Sequence, residues 1–383
     1  MKGDRLKFCK KCLYPDTKPQ LQFDENGICD ACRWIDEKEK IDWDSRRKDL
    51  AKILEKYKSN DGSKYDCIIP VSGGKDSHFQ THVIKNEFGL NPLLVNFVPP
   101  DLIPLGRKNI ENLKRLGVDY IEFTANPVVY RKMEKYGLVE LGDANWPEHV
   151  GIFTVPVQVA VAYKIPLIIW GENPQMEYGG PGRGTVLDRE WLEKYGGFWL
   201  DKVKPQVMTE YGIDMRYLKP YIYPSDKELE QVGVTGVFLG QYIKYDIYKQ
   251  LEIVEKLGFS RNPEPKEGTY TDWENLDTKY TGMHDYFKWI KYGFGRATDH
   301  ASLDIRAGKI TREEGLKLVK EYEGKIPEKY FDDFLKDLEI TRTEFYRIVD
   351  KFTNKDIFKK DEKGNLWRDE RGNLQKLQYD NSR

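Results

Sequence analysis

The chain has 383 residues, of which 39% are hydrophobic, 13% aromatic and 33% charged, enough for about two domains and a sizeable core. Its 62 basic and 63 acidic side chains leave a formal net charge of -1, which disfavours the basic field that a large nucleic-acid footprint requires. The longest apolar stretches, PLIIW and PLLVNFV, fall far short of the roughly 20 residues of a spanning helix, so no membrane segment is expected. The opening MKGDRLKFCKK lacks the apolar part of a secretory signal, and the cytoplasm is the expected compartment.

Five cysteines carry more information than these totals. Cys9 and Cys12 in FCKKCLYP, and Cys29 and Cys32 in GICDACRW, form two pairs separated by 16 residues. That spacing fits a four-thiolate zinc site in which two tight turns each present two sulphurs to one tetrahedral ion. Disulfides are the competing reading, disfavoured in a cytosolic chain. Zinc is expected ahead of iron because the ion needs no redox role. Four protein ligands leave no position for substrate, so the role is structural. FDENG between the pairs is predicted to turn, with Gly27 ahead of the second pair.

A charged connector, WIDEKEKIDWDSRRKDLAKILEKYK, is predicted to be helical, and strands then alternate with helices. YDCIIPV (65–71) predicts a buried strand, SHFQTHVIKNEFG a helix closed by Gly89, and NPLLVNFV a second strand. GRKNIENLKRLG continues as a helix, VDYIEFT as a third strand and NPVVYRKMEKYGLVEL as a further helix, before HVGIFTVPVQVAVAYKI leads into PLIIWG. VTGVFLGQYIKYD (234–246) repeats the grammar. The pattern implies an α/β fold with a doubly wound parallel sheet and helices on both faces, where ligands bind beyond the carboxyl ends of the strands.

From about residue 265 the grammar becomes helical: GMHDYFKWIKYGFG, ITREEGLKLVKEYEG, PEKYFDDFLKDLEI and TRTEFYRIVDKF. Three regions are expected: a cysteine module over 1–40, an α/β domain over 41–262 and a helical region over 263–383. The polar tail KKDEKGNLWRDERGNLQKLQYDNSR is expected to be loosely held, and no internal repeat or membrane-binding helix stands out.

The loop VSGGKDS, between the first strand and its helix, is the main candidate site. Gly73 and Gly74 let backbone amides approach an anion, and the following helix adds unpaired N–H groups and a positive dipole end. Ser72 and Ser77 offer hydroxyls and Lys75 a compact positive charge. Asp76 is out of place in a simple anion site and makes sense if magnesium accompanies the phosphate. The loop differs from the Walker pattern. The bland alternative is a turn that only caps a helix; its place at a strand's end favours the phosphate reading.

SGGKDS after a strand resembles the pyrophosphate loop of the ATP pyrophosphatase, or PP-loop, superfamily, whose fold is of the adenine nucleotide alpha hydrolase type. The resemblance covers roughly residues 65–260 at the level of fold and implies that Ser72, Gly73, Gly74, Lys75, Asp76 and Ser77 hold the β- and γ-phosphates of ATP. CLYPDTKP, GICDACR, IPLIIWGENPQMEYGG, GQYIKYD and GRATDHASLDIR, together with VSGGKDS, are similar to N-acetyl sugar amidotransferases of surface-polysaccharide and nonulosonic acid pathways. That resemblance implies adenylation of an acetamido oxygen with release of pyrophosphate, attack by ammonia, and loss of AMP to leave an acetamidino group. It further implies a separate glutaminase subunit and an ammonia-conducting partner.

The residues speak to the nitrogen source independently. With four cysteines committed to metal and Cys67 inside a buried strand, no activated thiol remains for a built-in glutaminase. The same count weighs against tRNA thiolation, the main alternative, except for an enzyme with an external sulphur donor; a non-catalytic nucleotide-binding protein is the second.

Beyond the loop, Gly171 and Glu172 in WGENP end a strand and should face the nucleotide, Glu172 binding magnesium, orienting ammonia or only fixing its loop. EYGGPGRGT (177–185) is expected to be a mobile substrate loop, with Arg183 either on a sugar-nucleotide phosphate or solvated. Lys244 and Asp246 are further candidates beside Gly240. Arg296 and Asp299 rest on the narrower resemblance, and the roles of His149, His300 and Asp299 stay open.

Overall fold

The computed structural model describes residues 6–171, 177–180 and 204–377. Strands β1 (Cys67–Pro70), β2 (Pro92–Phe97), β3 (Asp119–Phe123), β4 (Leu167–Trp170) and β5 (Thr235–Phe238) form one parallel sheet in the order β3-β2-β1-β4-β5. In register, Ile69 lies beside Leu94, and Ile168 lies between Ile68 and Gly236. The chain winds outward from β1 in one direction and returns to β4 on its other side, so the switch point falls between the carboxyl ends of β1 and β4.

Successive strand residues feed opposite faces, which is why the strands are continuously apolar. Ile68, Leu93, Val95, Phe97, Ile168 and Trp170 pack on one side with Val129, Tyr130 and Met133 of helix α5 (Pro127–Tyr136) and Val150, Val155 and Ala160 of α6 (Trp146–Tyr163). Cys67, Ile69, Leu94, Leu167 and Ile169 pack on the other. There they meet Leu50 and Leu54 of α2 (Trp43–Glu55), Phe79 of α3 (Lys75–His82), Leu113 of α4 (Pro104–Lys114), and Leu251 and Val254 of α8 (Ile247–Lys256). Each fully buried Ile, Leu or Phe here contributes roughly 1.5–3 kcal/mol.

The helical connector is two helices. The first, α1 (Asp30–Lys38), starts inside the second cysteine pair, and α2 restarts where the Asp42 carboxylate accepts the Ser45 N–H at 3.0 Å. A short capped helix, α7 (Asp226–Val232), precedes β5. The C-terminal layer contains α9 (Thr281–Tyr292), α10 (Arg296–Arg306), α11 (Arg312–Tyr322), α12 (Phe331–Asp337) and α13 (Arg342–Phe352). Of these, α9, α12 and α13 surround buried Phe287, Phe334, Phe345 and Phe358, while Ala297, Ala301 and Val319 of α10 and α11 pack with Leu13.

The tail is not loose through residue 377. It repeats one turn: the Asp361 carboxylate accepts from the N–H groups of Lys363 and Asn365, and Asp369 does the same for Arg371 and Asn373. Antiparallel bridges close both turns, and Leu374 is buried in the helical core. DEKGNLW and DERGNLQ are therefore an internal repeat that the sequence reading passed over, because the polar side chains bond their own backbone.

Candidate functional site

Residues Ser72–Ser77 leave β1 at the switch point. Gly73 holds φ +95°, and a Cβ there would lie 2.9 Å from Ile110 Cγ1, so both backbone and packing require glycine. The Ser72 N–H donates to Ser77 Oγ at 3.0 Å, tying the ends of the loop together. The His78 ring fixes its middle. Asn112 Nδ2 donates to His78 Nε2 at 3.1 Å, which leaves Nδ1–H to donate to the Gly74 carbonyl at 2.9 Å. Burial holds His78 below its ordinary pKa, in keeping with a neutral ring.

The opposite wall comes from Trp273–Asp277, a segment that sequence reasoning missed. Together with Gly106 and Asn109 it encloses a cavity of about 180 Å³ over the loop. The segment is strapped down: Ile103 N–H donates to the Asp277 carbonyl at 2.8 Å, Leu102 bridges to Thr278, and Lys279 N–H donates to the Asp101 carbonyl at 3.1 Å. Gly106 allows this approach, since a Cβ there would lie 2.7 Å from the Asp277 Cα. Asn275 sits in the left-handed region at φ +55°, uncommon for a residue with a side chain, and its Nδ2 donates to Asp285 Oδ2 at 2.9 Å.

Lys75 joins the two walls. Its Nζ lies 2.8 Å from Glu274 Oε1 and 2.6 Å from Asp76 Oδ2, with Lys75 only 5% exposed. Burial pushes the Glu274 carboxyl up, but the positive charges of Lys75, His300 and Arg296 outweigh it and hold the pKa down at about 2. The other Asp76 oxygen, Oδ1, is buried without a hydrogen-bond partner. A carboxylate oxygen left in this way beside an anion loop fits a cation or its water, so the donor set suits magnesium.

Of the remaining sequence candidates, Gly171 directly follows β4, its carbonyl accepts the Gly240 N–H at 3.0 Å, and a Cβ on it would lie 2.2 Å from Gln80 Nε2. Arg296 is paired with Asp285 at 3.2 Å, which places it behind the strap rather than free for an anion. Lys244 is exposed, and the Asp246 carboxylate caps α8 by accepting the Tyr248 and Lys249 N–H groups. His300 is buried against the Thr269 and Thr271 hydroxyls at 2.7 and 3.1 Å; burial lowers its pKa to about 4 against the pull of Glu274. Glu172 and Arg183 lie outside the described residues.

The four cysteines converge in a buried cluster that could hold a metal ion. Cys9 and Cys32 sulphurs are 3.8 Å apart and those of Cys12 and Cys29 3.6 Å, far beyond a disulfide bond. A tetrahedron with metal–sulphur bonds of about 2.3 Å has sulphurs about 3.8 Å apart, so the geometry fits zinc. Hydrogen bonds from Cys12 and Cys29 draw the Cys9 thiol down, whereas Cys12, Cys9 and burial push Cys32 up. Four sulphurs this close need a cation before all can ionise. Cys67 is fully buried, and burial pushes its thiol up.

The cluster docks on the C-terminal layer. Tyr14 OH donates to Asp299 Oδ1 at 3.0 Å, Asp299 also pairs with Lys288, and Leu13 N–H donates to Ser302 Oγ at 3.3 Å. It also anchors Glu177–Gly180: Lys38 pairs with Glu177 at 2.6 Å, and Gly180 N–H donates to Asp30 Oδ2 at 2.8 Å. The part of EYGGPGRGT that is described is thus fixed to α1; its remainder lies outside the described residues.

Residues 267–371 match a family model described as "LPS biosynthesis protein WbpG-like, C-terminal domain". Over 88 residues, 23% of this chain, the sequence is 34% identical to an uncharacterized protein of Methanocaldococcus jannaschii, and the match covers 31% of that relative's length. Among solved structures, the NMN synthetase of Francisella tularensis aligns with 74% of this chain and 93% of its own at 12% identity and a TM-score of 0.35. A predicted subunit of a tRNA methyltransferase from Methanocaldococcus jannaschii aligns with 60% of this chain and 88% of its own at 10% identity and a TM-score of 0.30. Among the described residues, no helix is long and apolar enough to cross a membrane. The segment matching the LPS-biosynthesis model supplies Trp273–Asp277, one wall of the cavity over the loop, and also contains Arg296 and His300.

Proposed function

We propose that this chain is an ATP-dependent amidotransferase that converts the acetamido group of an N-acetyl sugar, nucleotide-linked or a nonulosonic acid, into an acetamidino group. One observation carries the reading: a loop suited to phosphates, Ser72–Ser77, is completed by Trp273–Asp277, part of a segment similar to a lipopolysaccharide-biosynthesis family. Gly73, Gly74 and the first turn of α3 would receive the β- and γ-phosphates, with the Ser72 and Ser77 hydroxyls beside them. Lys75, held between Asp76 and Glu274, would offset charge on the departing pyrophosphate. Asp76 is the carboxylate for magnesium, which when bound neutralises the phosphate oxygens.

An amide oxygen is a poor leaving group, which gives ATP consumption a chemical reason. The acetamido oxygen attacks the α-phosphorus and the bond to pyrophosphate breaks. Ammonia then adds to the imidate carbon, a proton is lost, and the carbon–oxygen bond to AMP breaks. The amide oxygen leaves on AMP. Cys67 is buried and the other cysteines surround one point, so ammonia is assigned to a separate glutaminase subunit and an ammonia-conducting partner. Zinc in the cysteine cluster is structural and braces the chain at Glu177–Gly180.

The test is phosphorus NMR of the full chain with ATP, magnesium, ammonium chloride and a panel of nucleotide-linked acetamido sugars and nonulosonic acids. Sugar-dependent formation of AMP and pyrophosphate supports the proposal. ATP cleaved only with unmodified tRNA and a sulphur source sinks it in favour of thiolation.

A further inference from the structure

Three side chains that the phosphate loop does not use meet where α6 begins. Asp143 Oδ1 lies 2.9 Å from His284 Nδ1, and Asp143 Oδ2 lies 3.5 Å from His149 Nδ1. The two imidazoles stand edge to face with centroids 4.9 Å apart, and one ligand atom from each of the three residues falls within 4.8 Å of the others. Around an ion with bonds of about 2.0–2.2 Å to nitrogen and carboxylate oxygen, neighbouring donors are separated by roughly 3–3.5 Å. Little movement would seat an ion among them.

The supporting framework is stiff. Gly137 lies so close beneath Asp143 that a Cβ there would sit 2.3 Å from the Asp143 carbonyl oxygen. The Asn145 N–H donates to Asp143 Oδ1 at 3.0 Å, the kind of outer hydrogen bond that orients a ligating carboxylate. His149 stands in the first turn of α6 and His284 in the first turn of α9, so the α/β half and the C-terminal layer both contribute. Asp143 is 6% exposed.

We propose that Asp143, His149 and His284 bind a divalent transition-metal ion, zinc by the donor set, at a site separate from the four cysteines. Two imidazole nitrogens and one carboxylate oxygen suit zinc and its neighbours, whereas magnesium takes oxygen donors. Three protein ligands leave at least one position for water or another ligand, unlike the closed cysteine cluster. Its place follows from the fold. The crossover helix α6 runs back against the parallel strands, so its N-terminus lies at their carboxyl edge, the edge that carries Ser72–Ser77. The site does not depend on which reaction the phosphate loop serves.

The experiment is cobalt(II) titration and zinc analysis of the full chain. The wild type is expected to hold two ions, one with thiolate-to-cobalt charge transfer and one with ligand-field bands alone. Cys9→Ser should lose the first spectrum and keep the second, while His284→Ala and His149→Ala keep the first and lose the second, with circular dichroism reporting the fold. A wild-type chain that saturates at one ion with a purely thiolate spectrum overturns the site, whether or not the histidine variants fold.

Discussion

Glu274 lies 2.8 Å from the ammonium of Lys75, so a carboxylate from the C-terminal layer is paired with the lysine of the loop that follows β1. Because Lys75 is buried and Glu274 half-buried, neither partner can be lost cheaply. Glu274→Gln should lower ATP-dependent pyrophosphate release by about tenfold or more, equivalent to about 1.4 kcal/mol of transition-state stabilisation. Lys75→Ala should lower it further. In a double-mutant cycle the combined variant should be no worse than Lys75→Ala alone, because the two residues act as one unit; additive losses would show that Glu274 acts elsewhere.

Acid should weaken the fold in two steps. His300 is depressed to about 4, so on acidification the unfolded chain takes up its proton first; its stability contribution is full above about pH 6.5 and is lost toward pH 4. Glu274 is depressed to about 2, so its contribution is full above about pH 4.5 and is lost toward pH 2. Urea unfolding at several pH values should show a slope in the upper window to which His300 contributes about 1.4 kcal/mol per pH unit. His300→Gln should reduce the slope in that window to the part left by other histidines such as His78, also held low by burial. It should shift the lower window upward, because the His300 charge helps hold Glu274 down.

Gly73→Ala would force a Cβ against Ile110 at a φ of +95°. The expected cost is about 1–3 kcal/mol in urea unfolding, with ATP affinity reduced as the loop is displaced. Wild-type stability and affinity in this variant would show that the loop is not held as described.

The cysteine cluster and its docking can be separated. Cys9→Ser should reduce bound zinc and lower the melting temperature, because it removes a ligand of a buried tetrahedral set. Tyr14→Phe removes only the hydroxyl that donates to Asp299, which keeps its Lys288 partner. It should cost about 1–2 kcal/mol with zinc content unchanged. Zinc analysis and calorimetry on the two variants distinguish metal binding from docking.

Much of the architecture is legible from local rules. Continuous apolar strands such as Cys67–Pro70, glycine stops such as Gly89 and the two cysteine pairs each follow from nearby residues. The strap Trp273–Asp277 is not legible, because it has no helical or strand period and acquires meaning only through hydrogen bonds to residues 101–106. Its signals were Trp273 and Glu274 amid turn residues, an unusual composition for a linker. His149 and His284 are separated in sequence by the whole of β4 and β5, so their approach to Asp143 depends on helix packing that no short motif records. The order of the tail is not legible either, because Asp361 and Asp369 look solvent-bound in sequence and instead cap their own turns.

The central claim, that an acetamido oxygen is adenylated, is tested most directly with a heavy-oxygen label. A sugar that elicits AMP formation would be prepared with heavy oxygen in its acetamido carbonyl, and the products would be examined by phosphorus NMR and mass spectrometry. The account predicts that the label moves into the phosphate of AMP while the sugar product, with oxygen replaced by NH, carries none. Unlabelled AMP, or a product that keeps the label, would contradict it.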